Sequence, residues 1–299
     1  MRVLVTGSSG LIGSALVERL RAGDHEVTRL VRREPRPGEA EVAWDPAAGA
    51  VDAAGLEGHD AAVHLAGESI AGRWTARKKA RMRDSRVGGT RLLCEALAGL
   101  DRAPAVLVAA SAIGVYGDRG DEVLTEQSAP GGGFLAQLCR EWEAATRQAA
   151  DAGIRVAHLR LGVVLSRRGG ALARMLLPFR LGLGGVVGSG RQWWSWVALD
   201  DVVAAAEHAL ATASLSGAVN VVSPHPATCR EFTKALGRVL ARPTLVPLPA
   251  FAARLALGEM ADALLLASAR VVPEELLDSG FAFAHPQLEP ALRHVLHEA

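Results

Sequence analysis

The sequence predicts an α/β fold: a parallel, doubly wound sheet with helices on both faces, followed by a smaller C-terminal lobe. Two observations lead to this fold class. Apolar runs alternate with amphipathic stretches from residue 1 to about residue 165, which is the pattern of parallel strands joined by helical crossovers. A glycine-rich turn also separates the first apolar run from the first amphipathic stretch. With 299 residues, the chain is long enough for one large domain or two smaller ones.

The first element is a strand–turn–helix unit at residues 2–20. Gly7 permits a tight turn after the strand, Gly10 lets a phosphate approach the backbone, and Gly13 allows the helix to pack closely on the sheet. The start of the helix offers free N–H groups and a partial positive charge. The unit therefore predicts a Rossmann-type site for the pyrophosphate of a dinucleotide.

The second strand, Glu26 to Val31, is followed by two arginines. A dinucleotide fold that prefers NAD usually carries an acid near this point, which accepts a hydrogen bond from the ribose. The guanidiniums of Arg32 and Arg33 would instead suit a 2′-phosphate. A pair of solvated loop arginines is the alternative. We therefore expect NADP(H), with NAD(H) as the second choice.

The remaining elements continue the alternation. Strands are predicted over residues 41–44, 60–67, 105–110, 154–159 and 219–222, and helices over residues 74–100, 134–152 and 230–240. The strand over 60–67 ends in small residues, as strands beside a cofactor do. His64 near its end is interpreted as a wall of the cofactor pocket or a core histidine rather than a base. The many cations of 74–100 form either a solvated helix face or part of an anion-binding cleft.

We divide the chain into a dinucleotide-binding domain over 1–165, to which the strand near 219–222 returns, and a substrate lobe over 166–299. The lobe contains a mainly helical C-terminal domain over 247–294. The tryptophans at 193, 194 and 196 serve either recognition or the core of this lobe. Asp200 and Asp201 are expected to cap the helix that follows them.

Composition excludes several classes of function. A net charge of +1 argues against nucleic acid or an anionic membrane as the main partner. The apolar stretch from 249 to 272 is interrupted by charges, so it is not a membrane span. The three cysteines (Cys94, Cys139 and Cys229) match no zinc spacing and favour a reducing compartment. Because the first strand begins at residue 2, we expect no signal peptide and a cytoplasmic location. We expect no metal, a small-molecule substrate, and a monomer or homodimer.

Several motifs together identify a family resemblance. Five stretches carry this resemblance: Thr6 to Gly13, His64 to Gly67, Ser111 to Gly117, Arg160 to Gly162 and Trp196 to Val202. In them the chain resembles the extended short-chain dehydrogenase/reductases of the sugar-nucleotide epimerase type. Further stretches resemble a subgroup of epimerase-like proteins that ends in a small domain of unknown function. The resemblance implies a cofactor site made of Gly7, Ser9, Gly10, Leu11, Ile12, Gly13, Arg32, Arg33, His64, Leu65, Ala66, Gly67, Ser85, Leu161 and Gly162.

The sequence departs from this superfamily where its chemistry takes place. The superfamily uses a tyrosine and, four residues later, a lysine on one helix face to move a proton. The matching positions here are Leu135 and Cys139, or Phe134 and Leu138 after a one-residue shift. The only tyrosine, Tyr116, has glycine four residues later. The usual mechanism therefore does not transfer to this chain.

Other positions of the cleft also differ. Arg86 replaces a common asparagine, and Ser111 stands one residue before the usual serine, whose place is taken by Ala112.

Two functions compete at this stage. The first is an NADP(H)-dependent oxidoreductase or epimerase acting on a small polar or carbonyl compound, with Ser111, Tyr116 and Arg86 as candidate catalytic residues and Glu68 and His64 behind them. A packing or cofactor-lining role is the alternative for Tyr116. The second function is a catalytically inactive protein that binds NADP(H) or a metabolite, which the loss of the tyrosine–lysine pair favours.

The arginine pair generates the first prediction. The protein should bind NADP(H) at least tenfold more tightly than NAD(H), a difference of about 1.4 kcal/mol, because guanidiniums pair with the 2′-phosphate. Titration of both nucleotides into the protein and into an Arg32→Ala/Arg33→Ala variant measures the preference. Equal affinities, or a preference unchanged in the variant, would contradict the assignment.

Overall fold

The computed structural model describes residues 1–297, and its strands are short and numerous. In chain order they are β1 (Arg2–Thr6), β2 (Glu26–Val31), β3 (Glu41–Asp45), β4 (Ala50–Val51), β5 (Ala61–His64), β6 (Val106–Ala112), β7 (Val123–Leu124), β8 (Arg155–Leu161), β9 (Val163–Leu165), β10 (Trp193–Trp194), β11 (Trp196–Ala198), β12 (Gly217–Val221), β13 (Ala227–Thr228) and β14 (Arg270–Val271).

Eleven α-helices lie among the described residues. They are α1 (Leu11–Ala22), α2 (Ala76–Arg83), α3 (Gly89–Ala98), α4 (Phe134–Ala144), α5 (Arg147–Asp151), α6 (Gly170–Arg180), α7 (Leu199–Ala211), α8 (Cys229–Val239), α9 (Ala250–Leu257), α10 (Glu274–Asp278) and α11 (Leu288–His297). None of the helices in residues 1–297 is long and apolar enough to cross a membrane.

The central sheet confirms the predicted fold class. Eight strands lie in the order β12-β8-β6-β5-β1-β2-β3-β4, and all neighbours are parallel except β3 and β4. The chain moves outward from β1 to β2 and β3, then returns to β5 on the other side of β1. This reversal places a crevice beyond the carboxyl ends of β1 and β5, where such sheets bind their ligands.

Alternation along β1 builds the two cores. Val3 and Val5 are fully buried on the face covered by α1, and Leu4 is fully buried on the opposite face, covered by α3. Because successive side chains of a strand point to opposite faces, one apolar run packs against both helix layers.

Two predicted helices have different boundaries in the structure. The stretch 74–100 forms α2, a π-helical turn at Asp84–Gly88 and α3 in direct succession, so the turn interrupts a single helical path. The stretch 134–152 divides into α4 and α5 around Ala145 and Thr146. π-Turns are frequent at functional sites, and this one carries Ser85 and Arg86.

The tryptophan cluster contributes to the core of the lobe rather than to an exposed loop. Trp196 is fully buried and Trp194 nearly so. Trp193 lies closer to the surface, where its indole Nε1 donates to Asp121 at 2.9 Å and the Arg270 guanidinium lies over its ring.

The predicted capping role of Asp200 and Asp201 is wrong. The first helical residue of α7 is Leu199, and no side chain caps the helix, so both acids lie inside its first turn. The buried carboxylate of Asp201 instead accepts from the backbone N–H groups of Ala284 (2.7 Å) and His285 (3.1 Å). Asp200 contacts His294 of α11 at 2.6 Å. The two acids therefore attach the C-terminal segment to the sheet domain.

This attachment gives a stability prediction. Asp201→Ala should lower the free energy of unfolding by about 3 kcal/mol, because it leaves two N–H groups without the charged acceptor that they share. Asp200→Ala is the matched control and should cost less than about 1 kcal/mol, since Asp200 is half-exposed. Urea unfolding of both variants measures the difference. Similar losses in the two would show that Asp201 is not the main attachment.

Candidate functional site

The glycine turn between β1 and α1 combines two kinds of constraint. Gly7 has φ +66°, and a Cβ there would lie 2.7 Å from the Leu65 carbonyl carbon. A Cβ on Gly13 would lie 2.1 Å from the Gly7 oxygen. These two glycines are therefore required by the packing of the chain itself.

Gly10 differs from its two partners. Its φ of −77° suits any residue, and a Cβ there would meet only the Gly7 oxygen, at 3.2 Å. Nothing else in the described chain comes within 4 Å of that position. A side chain at this position would point out of the turn, into the space in front of α1. The absence of a side chain therefore leaves room for a ligand rather than for the protein.

The start of α1 presents an unmatched positive end. Gly10 is its N-cap, no side chain caps it, and its first turn contains no acid. The N–H groups of Leu11, Ile12 and Gly13 belong to this turn and have no earlier helical carbonyl to bind. Ser9 is exposed immediately before them. This arrangement can hold an anionic group such as a pyrophosphate.

Beside the turn, the end of β5 is attached to β1 through Thr6. Its hydroxyl oxygen accepts from the N–H groups of Leu65 and Ala66, both at 3.2 Å. The same oxygen lies 2.7 Å from Nδ1 of His64, whose Nε2 lies 2.9 Å from the Thr90 hydroxyl. The Thr90 oxygen also accepts from Trp142 Nε1 at 2.9 Å. These bonds join β1, β5, α3 and α4.

The surroundings of His64 argue against a role as base. The ring is fully buried, and burial lowers the pKa of His64 to about 4, so the imidazole is neutral. Thr6 Oγ1 already accepts two bonds, which leaves its proton for Nδ1; the ring proton then lies on Nε2 and points to Thr90. Both nitrogens are occupied, which favours the core-histidine interpretation.

The two arginines after β2 have different partners. The guanidinium of Arg33 pairs with the Glu41 carboxylate at 2.6 Å and donates to the Glu34 carbonyl at 2.7 Å. Its hydrogen bond is the main reason that the pKa of Glu41 falls to about 2. Arg32 is exposed and makes no ion pair within residues 1–297. Of the two arginines, Arg32 is thus the one whose guanidinium is not already paired with a carboxylate in residues 1–297 and can contact a ligand.

The helix face that carries the superfamily's tyrosine and lysine is apolar here. Leu135 and Cys139 face Gly114, since a Cβ on Gly114 would lie 3.3 Å from the Leu135 Cβ and 3.9 Å from the Cys139 sulfur. Burial raises the pKa of the Cys139 thiol to about 12. Neither side chain can donate a proton readily near neutral pH.

The Ser111 hydroxyl is hydrogen-bonded to a buried ion pair between Glu143 and Arg160, which the sequence did not predict. Its hydroxyl donates to Glu143 Oε1 at 2.6 Å, and Arg160 binds both oxygens of the same carboxylate at 2.9 Å. Burial alone would raise the pKa of Glu143, but the bonds from Arg160 and Ser111 hold it below its usual range. Glu143 lies four residues after Cys139 on α4, and this spacing is the signal that could have identified it.

Tyr116 continues this network away from the cleft. Its side chain is fully buried, its hydroxyl donates to Asn220 Oδ1 at 2.7 Å, and it accepts from Arg160 at 2.9 Å. Burial raises the pKa of Tyr116. The geometry favours the packing alternative for this tyrosine.

Arg86 is the cation that reaches the cleft. Its Nη1 donates to the carbonyls of Glu68 (2.9 Å) and Met82 (3.3 Å), and its guanidinium lies 5.0 Å from the Trp142 ring centroid. A Cβ on Gly67, beyond the end of β5, would lie 3.3 Å from its Cζ. Nε and Nη2 find no hydrogen-bond acceptor among the residues that the structure describes. Burial lowers the pKa of Arg86 from its usual high value.

Two other predicted site residues, Ser85 and Gly162, have structural partners. The hydroxyl of Ser85 accepts from the Glu68 N–H at 2.9 Å and donates to the Met82 carbonyl at 3.1 Å. Gly162 follows Leu161, the last residue of β8, and a Cβ on it would lie 2.6 Å from the Ser195 oxygen. These contacts fix the loops that border the cleft.

The C-terminal segment covers the side of the cleft formed by α2 and α4. Trp74, Met82, Leu138 and Met260 form a buried cluster, with Phe134 and Leu135 packed against it. Lys79 of α2 pairs with Glu259 in the same region. The surface nearest to Leu135 is therefore apolar.

Comparison with known proteins places these features in a family. Residues 3–222 match the model described as NAD dependent epimerase/dehydratase family, and residues 248–295 match a domain of unknown function, DUF1731. Epimerase family protein Mb2239 of Mycobacterium bovis is 48% identical, over 97% of this chain and 96% of its own.

Two solved structures are similar over nearly the whole chain. Human epimerase family protein SDR39U1 (isoform 2), crystallised with NADPH, is 36% identical with a TM-score of 0.91, and all of both chains is covered. A nucleoside-diphosphate sugar epimerase from Corynebacterium glutamicum is 39% identical with a TM-score of 0.82, over 99% of this chain. This chain spans 58% of the length of the Corynebacterium protein. From these matches and the sheet order, the chain belongs to the NAD dependent epimerase/dehydratase family and carries a C-terminal DUF1731 domain.

Proposed function

We propose that this protein is an NADP(H)-dependent oxidoreductase that acts on small carbonyl compounds. The open space in front of Gly10 and the uncapped start of α1 fit a pyrophosphate, which the N–H groups of Leu11 to Gly13 would hold. The exposed guanidinium of Arg32 fits a 2′-phosphate. The NADPH bound to the human relative supports the same choice. Bound NADPH would supply a hydride.

The observation that carries the catalytic part is the half-buried guanidinium of Arg86. It is fixed through Nη1, while Nε and Nη2 retain donors. Oriented donors in a site of low polarity stabilise an oxygen that gains negative charge far better than water does. Arg86 would therefore bind the carbonyl oxygen of the substrate and stabilise the alkoxide that follows.

The lack of a side-chain proton donor limits both the rate of carbonyl reduction and the kind of substrate that can react. Cys139 has a pKa of about 12, and the Ser111 proton is already donated to Glu143. The proton would then come from water at the mouth of the cleft. The partly buried, apolar side chains of Leu135 and Phe134 suit an apolar carbonyl compound better than a nucleotide sugar.

A second candidate is an NADP(H)-binding protein without turnover. The observation that favours it is the apolar pair Leu135 and Cys139 at the positions that usually move the proton. The two candidates share the nucleotide site and differ in the use of Arg86, so the predictions below separate them.

The nucleotide site is tested at Gly10. Gly10→Val should abolish NADP(H) binding and leave the melting temperature nearly unchanged, because its side chain would occupy the space in front of α1. Gly132→Val is the matched control, since Gly132 has open space around it and no positive φ. Calorimetric titration and thermal unfolding give the two measurements. Normal binding by Gly10→Val would place the phosphates elsewhere.

The catalytic proposal is tested at Arg86. With NADPH and a panel of small carbonyl compounds, Arg86→Ala should lower kcat/KM about 100-fold, the cost of losing one oxyanion donor, while NADPH affinity stays the same. Arg83→Ala, which alters an exposed ion pair to Glu141 nearby, should have no effect. Nicotinamide absorbance measures turnover.

Two outcomes would overturn the catalytic proposal. Tight NADPH binding with no turnover of any carbonyl would favour the second candidate. Turnover of a nucleotide sugar at about 1 s⁻¹ or faster, the ordinary range of enzymes, would show that the missing tyrosine and lysine are not needed.

A further inference from the structure

Exposed apolar side chains are concentrated in one part of the described surface. Of the eleven large hydrophobic residues that are exposed within residues 1–297, eight lie in two short segments. We call these eight the leucine surface: Leu177, Leu181, Leu183, Leu245, Val246, Leu248, Phe251 and Leu255. Single exposed apolar residues are normal on a protein, but a contiguous group of this size indicates an interaction site.

The two segments form one continuous surface. The N–H of Leu248 donates to the Val186 carbonyl, and the N–H of Gly188 donates to the Leu248 carbonyl, both at 2.9 Å. Arg242 Nε donates to the Arg180 carbonyl, also at 2.9 Å. The chain after α6 therefore runs beside the chain that leads into α9, which brings their exposed apolar side chains to one region of the surface.

Helix α9 extends this surface and is apolar on both sides. Ala253 is fully buried, and Leu257 packs against the cluster around Trp74. On the other side, Phe251 is 72% and Leu255 is 77% exposed. Apart from Arg254, the helix is apolar on its outer side as well as on its inner side, and an apolar outer side normally has a second apolar environment to contact.

The same region carries a local excess of positive charge. Segments 167–191 and 241–258 contain seven arginines and no aspartate or glutamate, although the whole chain has a net charge of only +1. Arg174, Arg180 and Arg191 are exposed and make no ion pair within residues 1–297. A shallow recess beside Leu245 is lined by Lys234, Arg238 and Arg242 and by no acid. The binding partner must therefore combine apolar groups with negative charge.

We infer that the leucine surface binds the surface of an anionic phospholipid bilayer. Leu245, Phe251 and Leu255 are so exposed that they must stand out from the protein rather than line a groove for a peptide helix. A second copy of the chain would bring together two pairs of arginine-rich segments that contain no acid, and the like charges would repel. Apolar side chains that enter the interface and arginines that contact phosphate are the two signals that peripheral membrane binding requires.

The net charge of the whole chain, from which we expected no anionic membrane as the main partner, does not describe this one face. The total of +1 is a sum over the molecule, whereas a bilayer contacts one face only. Attraction to anionic lipid acts within about 10 Å at ordinary salt, so only the local charge matters.

The test uses the full-length protein and sedimentation with vesicles. Binding to vesicles of phosphatidylcholine with phosphatidylglycerol should be at least tenfold tighter than binding to phosphatidylcholine alone, and it should weaken as salt is raised. Phe251→Ser/Leu255→Ser and Arg174→Gln/Arg180→Gln should each reduce binding at least tenfold. Leu277→Ser and Arg102→Gln, which alter exposed residues elsewhere, are the matched controls.

Thermal unfolding and NADPH titration of each variant confirm that its fold and cleft are unchanged. Three results would overturn the inference: no binding to either vesicle, equal binding to both, or equal loss in the control variants. Self-association that disappears in Phe251→Ser/Leu255→Ser would assign the surface to a second copy. Tighter binding of an acidic amphipathic peptide than of vesicles would assign it to a protein partner.

Discussion

The close packing of the turn between β1 and α1 against the end of β5 determines where a ligand can lie. Gly7 and Gly13 bring the backbone to distances that no side chain would permit, and Thr6 fixes the strand beside them. Once these contacts form, the start of α1 points into the crevice where the strand order reverses. The packing of the protein constrains Gly10 far less than Gly7 or Gly13, since a Cβ there would meet only the Gly7 oxygen, at 3.2 Å, and this contrast is what points to a ligand.

The cleft region still contains polar side chains, but these are bonded to one another. A buried carboxylate and guanidinium, Glu143 and Arg160, bind the Ser111 and Tyr116 hydroxyls that the sequence suggested for catalysis. Breaking such a pair by removing one partner costs several kcal/mol, so these hydroxyls are held in structural roles. Arg86 is left as the charged group whose donors are incompletely used in the described cleft.

Local patterns predicted the sheet and the glycine turn, and the family resemblance pointed to Arg86 as a candidate cleft residue. They could not predict partners that are distant in the chain. Tyr116 binds Asn220, which is 104 residues away, and Asp201 binds a backbone segment more than 80 residues later. An acid near the start of a helix resembles a cap in sequence, but the helix begins at Leu199, and Asp201 accepts from backbone N–H groups of the C-terminal segment instead. The leucine surface could not be predicted from the net charge of the whole chain, because two segments that are distant in the sequence form it.

The hydrogen bonds from Thr6 through His64 and Thr90 to Trp142 have a consequence for motion. They link four elements through buried side chains, so a displacement of any one of these elements would break a buried hydrogen bond. Residues 265–271 are likewise held, through bonds to the 192–195 segment. Residues 241–264, which contain α9, are attached to residues 180–188 by hydrogen bonds at Arg242 and Leu248, and to α2 by one ion pair and apolar contacts. Helix α9 therefore lies between two environments, the apolar cluster around Trp74 on its inner side and the leucine surface on its outer side.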